Sequence, residues 1–199
     1  MNNSTTSSSD RERWDAKYRR GEHAGLAPSL LLEEVADRLP RQGRALDLAG
    51  GAGRHAIWLA QRGLAVTLVD LSEVALELAR QRAAEAGVPL STQQVDLQNQ
   101  PAPAGPWDLI VCVHFLWRPL LETIPSLLAP GGIFFFLQPT LRNRERHARP
   151  AAEYLLSEQE LPSLIREISW LHYEEGWLRE GRHEACLLAR REPAPEGNA

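Results

Sequence analysis

The sequence has little cysteine and no long apolar segment. The two cysteines, Cys112 and Cys186, both lie in apolar segments with strand character. Two thiols are too few for a disulfide framework and argue against a metal site. We therefore expect both to be buried thiols in a reducing compartment. No segment is long and apolar enough to span a bilayer, and residues 1–9 lack the apolar core of a signal peptide. These absences favour a cytoplasmic protein that does not associate with membranes.

An excess of positive charge is also missing. The 22 Lys and Arg residues stand against 26 Asp and Glu residues, which gives a net charge of −4. Proteins that bind nucleic acid usually present a basic face, so this balance gives no reason to expect a nucleic-acid partner. The length of 199 residues suits one globular domain. We expect that domain to span residues 10–192, between disordered tails at residues 1–9 and 193–199.

Strand-like and helix-like segments alternate from Arg44 to Leu137, and this alternation predicts an α/β fold with a parallel sheet between helices. The expected strands are Ala45–Ala49, Ala65–Asp70, Leu90–Val95, Trp107–Val113, Ile133–Leu137, Ile168–Tyr173 and Glu184–Ala189. The expected helices are Asp10–Arg20, Ser29–Leu39, Ser72–Ala86, Arg118–Leu128 and a helix from Ser157 whose capping box is completed by Glu160.

The most informative segment is the stretch Leu-Asp-Leu-Ala-Gly-Gly-Ala-Gly-Arg, which runs from Leu46 to Arg54. An apolar strand carries Asp47 near its end, a glycine-rich turn follows, and the helical pattern His55–Ala60 begins directly after the turn. The next strand ends in Asp70. This succession is typical of a nucleotide-binding βαβ unit.

The charge beside the glycines helps to decide which nucleotide binds. Residues 51–56 also fit the dinucleotide fingerprint G-x-G-x-x-A, and a glycine turn without any ligand is a further alternative. A pyrophosphate on this turn would be repelled by Asp47, whereas S-adenosylmethionine carries an ammonium and a sulfonium that a carboxylate attracts. The sequence therefore favours S-adenosylmethionine over NAD, and an NAD-dependent oxidoreductase is the less favoured alternative.

Acids at the ends of the next two strands suit the rest of the nucleotide. Asp70 can accept hydrogen bonds from the ribose hydroxyls, or it can cap the helix that follows Leu71. Asp96 can meet the adenine amino group while Leu97 packs on the ring, or it can be an ordinary acid of a loop.

On these residues the chain resembles the class I S-adenosylmethionine-dependent methyltransferases. The resemblance spans Trp14 to Arg191 and is carried by Leu46–Gly53, Val69-Asp70, Val95–Leu97, Trp107–Val111 and the Pro-Gly-Gly turn within Leu128–Ile133. Three segments resemble the small tellurite-resistance and thiopurine-type branch, namely Trp14–Tyr18, Arg149–Leu156 and His172–Gly176. The resemblance implies a Rossmann-like, doubly wound, seven-stranded sheet that is mostly parallel, with its last strand antiparallel.

The same resemblance implies which residues contact the cofactor. They are Asp47, Gly51, Gly53, Asp70, Leu71, Asp96, Leu97 and Val113. Trp14 and Tyr18 would lie on a helix that covers the site, although they could instead anchor that helix. One departure from the family is Ala49, which stands where its first glycine belongs. We therefore expect a negative φ at Ala49 and a close approach to the ligand at Gly51 and Gly53.

The chemistry expected of such a site is an in-line displacement at a methyl group, in which the protein mainly aligns the reactants. A soft nucleophile needs little help, but a hydroxyl or an amine needs a general base. His114 ends the fourth strand where the methyl group should point, so it is the candidate base, with a purely structural histidine as the alternative.

The residues after the fourth strand also bear on the acceptor. Residues 113–116 read Val-His-Phe-Leu, which is not the tetrad typical of nucleic-acid amino-methyltransferases. We therefore predict a small-molecule acceptor: a thiol, a chalcogen oxyanion or a small metabolite. A module that binds S-adenosylmethionine or S-adenosylhomocysteine without catalysis is the main alternative.

Overall fold

A computed structural model describes residues 3–22, 25 and 27–192, without the side chains of residues 3–7. In this part of the chain seven strands form one sheet, in the order β3-β2-β1-β4-β5-β7-β6. The strands are β1 (Arg44–Leu48), β2 (Ala65–Asp70), β3 (Ser91–Gln94), β4 (Trp107–Val113), β5 (Leu128–Pro139), β6 (Ser169–Trp177) and β7 (His183–Arg190). Strands β1 to β5 pair in parallel, and β7 pairs antiparallel with both β5 and β6. The predicted Rossmann-like sheet with an antiparallel last strand is confirmed.

Helices cover both faces of this sheet. The α-helices of the described residues are α1 (Asn3–Arg19), α2 (Leu30–Glu34), α3 (Arg54–Gln61), α4 (Glu73–Glu85), α5 (Arg118–Leu127) and α6 (Leu161–Leu164). Short 3-10 helices span Ala36–Arg38, Leu141–Glu145 and Ala152–Tyr154. None of the helices in these ranges combines the length and the apolar character that crossing a membrane requires.

Two apolar layers make up the core, one on each face of the sheet. Alternate residues of β5 show the division, because Phe135 packs with α2, α3 and α4 whereas Phe134 packs with α5 and α6. Strands buried on both faces must be apolar throughout, which explains why the sequence shows continuous apolar runs. Cys112 and Cys186 are buried and free, as predicted.

Helix α4 begins where the sequence predicts. The Ser72 hydroxyl accepts a hydrogen bond from the Ala75 amide at 3.2 Å and caps the helix. Helix α1, in contrast, begins at Asn3 instead of Asp10, so most of the segment expected to be a disordered tail is helical. Extending an existing helix avoids the cost of nucleation, and this favours the longer helix. Residues 1–2 and 193–199, where the rest of the predicted tails fall, lie outside the described residues.

The helix predicted from Ser157 is wrong, since α6 spans only Leu161–Leu164. The Glu160 carboxylate does accept a hydrogen bond from the Ser157 amide at 2.8 Å, which is the contact that the capping box predicts. Pro162 prevents the longer helix because it has no N–H to donate to the carbonyl of Glu158, and its ring would clash with that carbonyl. The helix therefore begins later, with Pro162 in its first turn, where no donor is needed.

Candidate active site

The predicted site residues lie where the central parallel strands end. The register pairs Leu48 of β1 with Val69 of β2 and with Cys112 of β4. The glycine turn after β1, Asp70 at the end of β2 and His114 after β4 are therefore neighbours at one edge of the sheet. Ligands of open α/β sheets bind at this carboxyl edge.

The backbone of the turn is left-handed at three positions. Gly51 has a φ of +56° and Gly53 a φ of +82°. Ala49 has a φ of +52°, so the expected negative φ at this residue is wrong. The chain must turn sharply between β1 and α3, and the turn imposes this conformation on Ala49 even though its Cβ makes it unfavourable by about 1–2 kcal/mol.

The glycines of the turn are packed against the protein's own side chains. A Cβ atom added to Gly50 would lie 2.5 Å from Asp47 Oδ2, and one added to Gly53 would lie 2.9 Å from the Ala79 side chain. A Cβ atom at Gly51 would clash with the hydroxyl of Tyr18, which comes from α1. The turn is thus covered by Tyr18 and does not form an open hollow.

Asp47 lies beneath this turn and is 1% exposed. Neither of its carboxylate oxygens has a hydrogen bond of standard geometry from the described residues, although the Ala56 amide lies close enough to affect its pKa. Burial raises the pKa of Asp47 to about 7, against the lowering effects of the Ala56 amide and of the Arg54 guanidinium. A buried carboxylate without a partner is unfavourable, so this position is suited to a cationic group.

The Asp70 carboxylate holds the turn to the start of α4. Its Oδ2 accepts a hydrogen bond from the Gly51 amide at 2.8 Å, and its Oδ1 accepts one from the Ser72 amide at 2.9 Å. Burial raises the pKa of this carboxyl group above its usual range, whereas the amides lower it. Ser72 itself caps α4, so Asp70 contacts the cap residue and is not the cap that the sequence left as an alternative. Each oxygen retains a second lone pair, so a ribose contact is compatible with these bonds.

Helix α1 lies across the site and is docked on α4. The Asp15 Oδ1 atom accepts a hydrogen bond from the Ser72 hydroxyl at 2.5 Å. The rings of Trp14 and Tyr18 are 6.2 Å apart, and the Lys17 ammonium lies 4.1 Å from the centre of the Trp14 ring. Burial and the nearby Asp70 carboxylate raise the pKa of the Tyr18 hydroxyl. The structure thus shows α1 both covering the turn and anchored to the domain.

The remaining predicted contacts lie around this centre. The Val95 amide donates a hydrogen bond to the Asp70 carbonyl at 3.0 Å, which places the end of β3 beside the end of β2. The Asp96 carboxylate accepts hydrogen bonds from the Gln98 amide at 3.1 Å and from the Asn99 side chain at 2.7 Å, as an ordinary loop acid does.

The predicted apolar contacts belong partly to the core. Leu97 and Val113 are 6% and 8% exposed and pack in opposite apolar layers, whereas Leu71 is only partly buried. The ends of these strands thus bring Leu71, Leu97 and Val113 to the same edge of the sheet as Asp70.

His114 contacts a glutamate that sequence reasoning missed. The His114 Nε2 atom lies 2.7 Å from Oε1 of Glu184 on β7, which is fully buried. His55 on α3 is buried nearby, and its pKa is lowered to about 3 by burial and, less strongly, by Arg54 and His114. The sequence indicates Glu184 only as an acidic residue near the start of an apolar strand, a position where burial is expected. This pattern does not indicate that Glu184 contacts His114, which lies 70 residues earlier.

A groove of about 640 Å³ lies elsewhere, at the opposite edge of the sheet. Its lining includes Leu39, Gln42, Asp108 and Gly132, which flank the starts of β1, β4 and β5. Asp108 accepts a hydrogen bond from the Arg44 amide at 2.7 Å and so serves the sheet itself. None of the predicted site residues lines this groove.

Part of the chain is similar to known proteins. Residues 45–132 match the family model described as a methyltransferase domain. A ubiquinone biosynthesis O-methyltransferase of Marinobacter nauticus is 31% identical over 139 residues, which cover 64% of this chain and 58% of that protein. A tRNA 5-carboxymethoxyuridine methyltransferase of Escherichia coli is 36% identical over 107 residues, which cover 50% of this chain and 41% of that protein. The chain thus spans about half the length of the curated relatives it matches.

Solved structures show the same fold. TehB from Haemophilus influenzae superposes with a TM-score of 0.71 at 20% identity, over 88% of this chain and 66% of that one. A TehB-like S-adenosylmethionine-dependent methyltransferase from Corynebacterium glutamicum superposes with a TM-score of 0.63 at 18% identity, over 94% and 99% of the two chains. At these identities the likeness concerns the fold alone.

Proposed function

Because residues 45–132 match a methyltransferase domain and the sheet has the fold of S-adenosylmethionine-dependent methyltransferases, we propose that this chain is a class I S-adenosylmethionine-dependent methyltransferase that methylates a small molecule. The donor of this family is S-adenosylmethionine, which supplies an activated methyl group on a sulfonium. Residues 44–190 provide the sheet whose carboxyl edge would hold that donor.

One observation carries the proposal, namely the buried and unpartnered carboxylate of Asp47 beneath the glycine turn. It suits the positive charge of the donor and disfavours the pyrophosphate of NAD. We propose that Gly51 and Gly53 let the cofactor approach the backbone once Tyr18 has withdrawn. Asp70 would then bind the ribose beside Leu71, while Asp96 and Leu97 would meet the adenine and Val113 would line the floor of the site.

A small acceptor is supported by the covered site and by the charge of the chain. Helix α1 lies over the turn and is docked on α4 through the Asp15–Ser72 hydrogen bond. The net charge of −4 supplies no general attraction for a polynucleotide. A nucleic-acid acceptor is the second candidate because one relative is named as a tRNA methyltransferase.

Thermal unfolding tests the cofactor. S-adenosylmethionine and S-adenosylhomocysteine should raise Tm, by an amount equivalent to about 2.7 kcal/mol at a hundred times Kd, and NAD should not. The Asp47→Asn variant should lose most of this shift. An Asp37→Asn variant, which alters a carboxylate that is 95% exposed, should retain it. A larger shift with NAD than with S-adenosylmethionine would overturn the proposal.

Transfer of a labelled methyl group tests catalysis. The acceptor panel comprises thiols, selenite, tellurite, phenols, amines and bulk tRNA. Label on any small acceptor supports the proposal, and label on tRNA alone would replace it with the second candidate. Tight cofactor binding with no transfer to any member would indicate a binding module without catalysis.

A further inference from the structure

The fold brings a buried carboxylate from β7 to the imidazole of His114. Strand β7 runs antiparallel to its neighbours, so its first residues lie at the edge where the parallel strands end. Glu184 stands near that start, opposite Pro139 of β5 and Gly176 of β6. Its Oε1 atom is 2.7 Å from Nε2 of His114, which directly follows the last residue of β4.

The bonding of Glu184 indicates which nitrogen of His114 carries the proton. Glu184 is fully buried, and its second oxygen, Oε2, has no hydrogen-bond partner among the described residues. The contact of Glu184 Oε1 with Nε2 of His114 is the hydrogen bond that this buried carboxylate makes. A buried carboxylate can only accept, so it favours the histidine tautomer that carries its proton on Nε2. The other ring nitrogen, Nδ1, then carries a lone pair and makes no hydrogen bond within the described part of the chain.

The backbone of His114 is also held in an unusual conformation. Its φ is +59°, in the left-handed region that residues other than glycine rarely adopt, and its amide donates a hydrogen bond to the Leu137 carbonyl at 2.8 Å. Strained residues of this kind concentrate at functional sites. A further titratable group near the ring is His55 on α3, which stays neutral because burial lowers its pKa to about 3. His55 therefore does not compete for a proton at neutral pH.

On the basis of the proposed function, we propose that Glu184 positions His114 as a general base and that the acceptor is a hydroxyl compound of the phenol class. A carboxylate that stabilises an imidazolium is useful only when the acceptor loses a proton during transfer. A thiol with a pKa of about 8.5 is already partly ionised and strongly nucleophilic at neutral pH, whereas a phenol has a pKa of about 10. The pair is therefore suited to a hydroxyl acceptor.

Methyl transfer in this site couples a proton transfer to a displacement at carbon. The acceptor hydroxyl gives its proton to Nδ1 of His114, and its oxygen forms a bond to the methyl carbon of the sulfonium donor. The carbon–sulfur bond breaks, and its electron pair stays on sulfur, which becomes a neutral thioether. The products are a methyl ether, S-adenosylhomocysteine and an imidazolium that faces the Glu184 carboxylate. The proton passes to solvent before the next turnover.

The Glu184→Gln variant tests the positioning role. The amide of that variant can donate to Nε2, which moves the imidazole proton to Nδ1 and removes the base that faces the acceptor. We expect kcat with phenolic acceptors to fall on the order of 100-fold or more. Transfer to thiols should change less than about threefold, and Kd for S-adenosylhomocysteine should stay within twofold. The matched control is Glu174→Gln, because Glu174 lies 3.9 Å from His172 in a partly exposed pair.

Two further measurements separate this inference from the proposed function. The kcat of the native enzyme with a phenol should fall below a pKa that is shifted or lost in Glu184→Gln and unchanged in Glu174→Gln. NMR of protein with ¹⁵N-labelled histidine should show the proton of neutral His114 on Nε2, and this readout requires no acceptor. A proton on Nδ1, or equal losses with phenols and thiols, would overturn the inference and leave methyl transfer intact. Binding without transfer to any acceptor would instead overturn the proposed function and, with it, the base.

Discussion

Two residues at the candidate site adopt a left-handed backbone without being glycine. They are Ala49, in the turn after β1, and His114, after β4. The sequence marks the turn by its glycines but gives no sign of the conformation at Ala49, because alanine ordinarily adopts a negative φ and the local sequence does not mark the exception. For that reason the expectation at this residue failed, whereas the close approach of a ligand to Gly51 and Gly53 stays a prediction.

Replacing Ala49 with glycine should stabilise the domain. Relief of the left-handed strain contributes about 1–2 kcal/mol, and the greater entropy of glycine in the unfolded chain offsets about 0.4–1 kcal/mol of it. We expect the free energy of unfolding to rise by about 0.5–1 kcal/mol, as measured by urea denaturation. The matched control is Ala84→Gly on the exposed side of α4, which should lower the free energy of unfolding by about 0.5–1 kcal/mol. Equal losses in the two variants would contradict the strain at Ala49.

Among the elements, α1 is the one whose Tyr18 covers the glycine turn. Its contacts with the rest of the domain include the Asp15–Ser72 hydrogen bond and the packing of Tyr18 on Gly51. The sequence predicted the helix and its two possible roles from Trp14 and Tyr18. It did not reveal Asp15 as the contact to α4, because a hydrogen bond between residues 57 positions apart has no local pattern.

Removing the Asp15 carboxylate should loosen α1. In Asp15→Ala the Ser72 hydroxyl keeps its bond to the Ala75 amide, so α4 remains capped. We expect faster hydrogen exchange of α1 amides in the free protein and an association rate for S-adenosylhomocysteine that is raised about threefold to tenfold, measured by stopped-flow tryptophan fluorescence. Asp10→Ala, which breaks an ion pair with Arg13 on the same helix, serves as the control and should leave the rate unchanged. Identical rates in the native protein and Asp15→Ala would show that α1 does not limit entry.

For the whole molecule, the sequence predicted the class of fold well and the pairing of distant residues poorly. The alternation of apolar strands and helices can be read from short stretches of sequence. The parallel sheet and most of its strand boundaries could therefore be predicted. The contact of His114 with Glu184 depends on where β7 enters the sheet, between β5 and β6. Strand order is a property of the complete topology, and no residue near Glu184 encodes it.

Stability and cofactor affinity should depend on pH in opposite directions because both involve Asp47. Its pKa is 3.8 in the unfolded chain and about 7 in the folded protein, so the folded state binds the extra proton. The free protein should therefore lose stability as pH rises from about 4 to about 7. The raised pKa of Asp70 acts in the same direction. A cationic donor lowers the pKa of Asp47 when it binds, so Kd should decrease as pH rises through that range, by at most about tenfold per unit.

Calorimetric titration with S-adenosylmethionine at pH 5.5 and pH 7.5 distinguishes the two carboxylates. The native protein should bind more tightly at pH 7.5 and should release protons on binding at pH 5.5. In Asp47→Asn both effects should largely disappear, and binding should be weak at either pH. If the variant keeps the full pH dependence, the titrating group is Asp70, and the positive charge of the donor is held elsewhere. A native protein that binds equally well at both pH values would leave the buried carboxylate of Asp47 without the cationic partner that its burial demands.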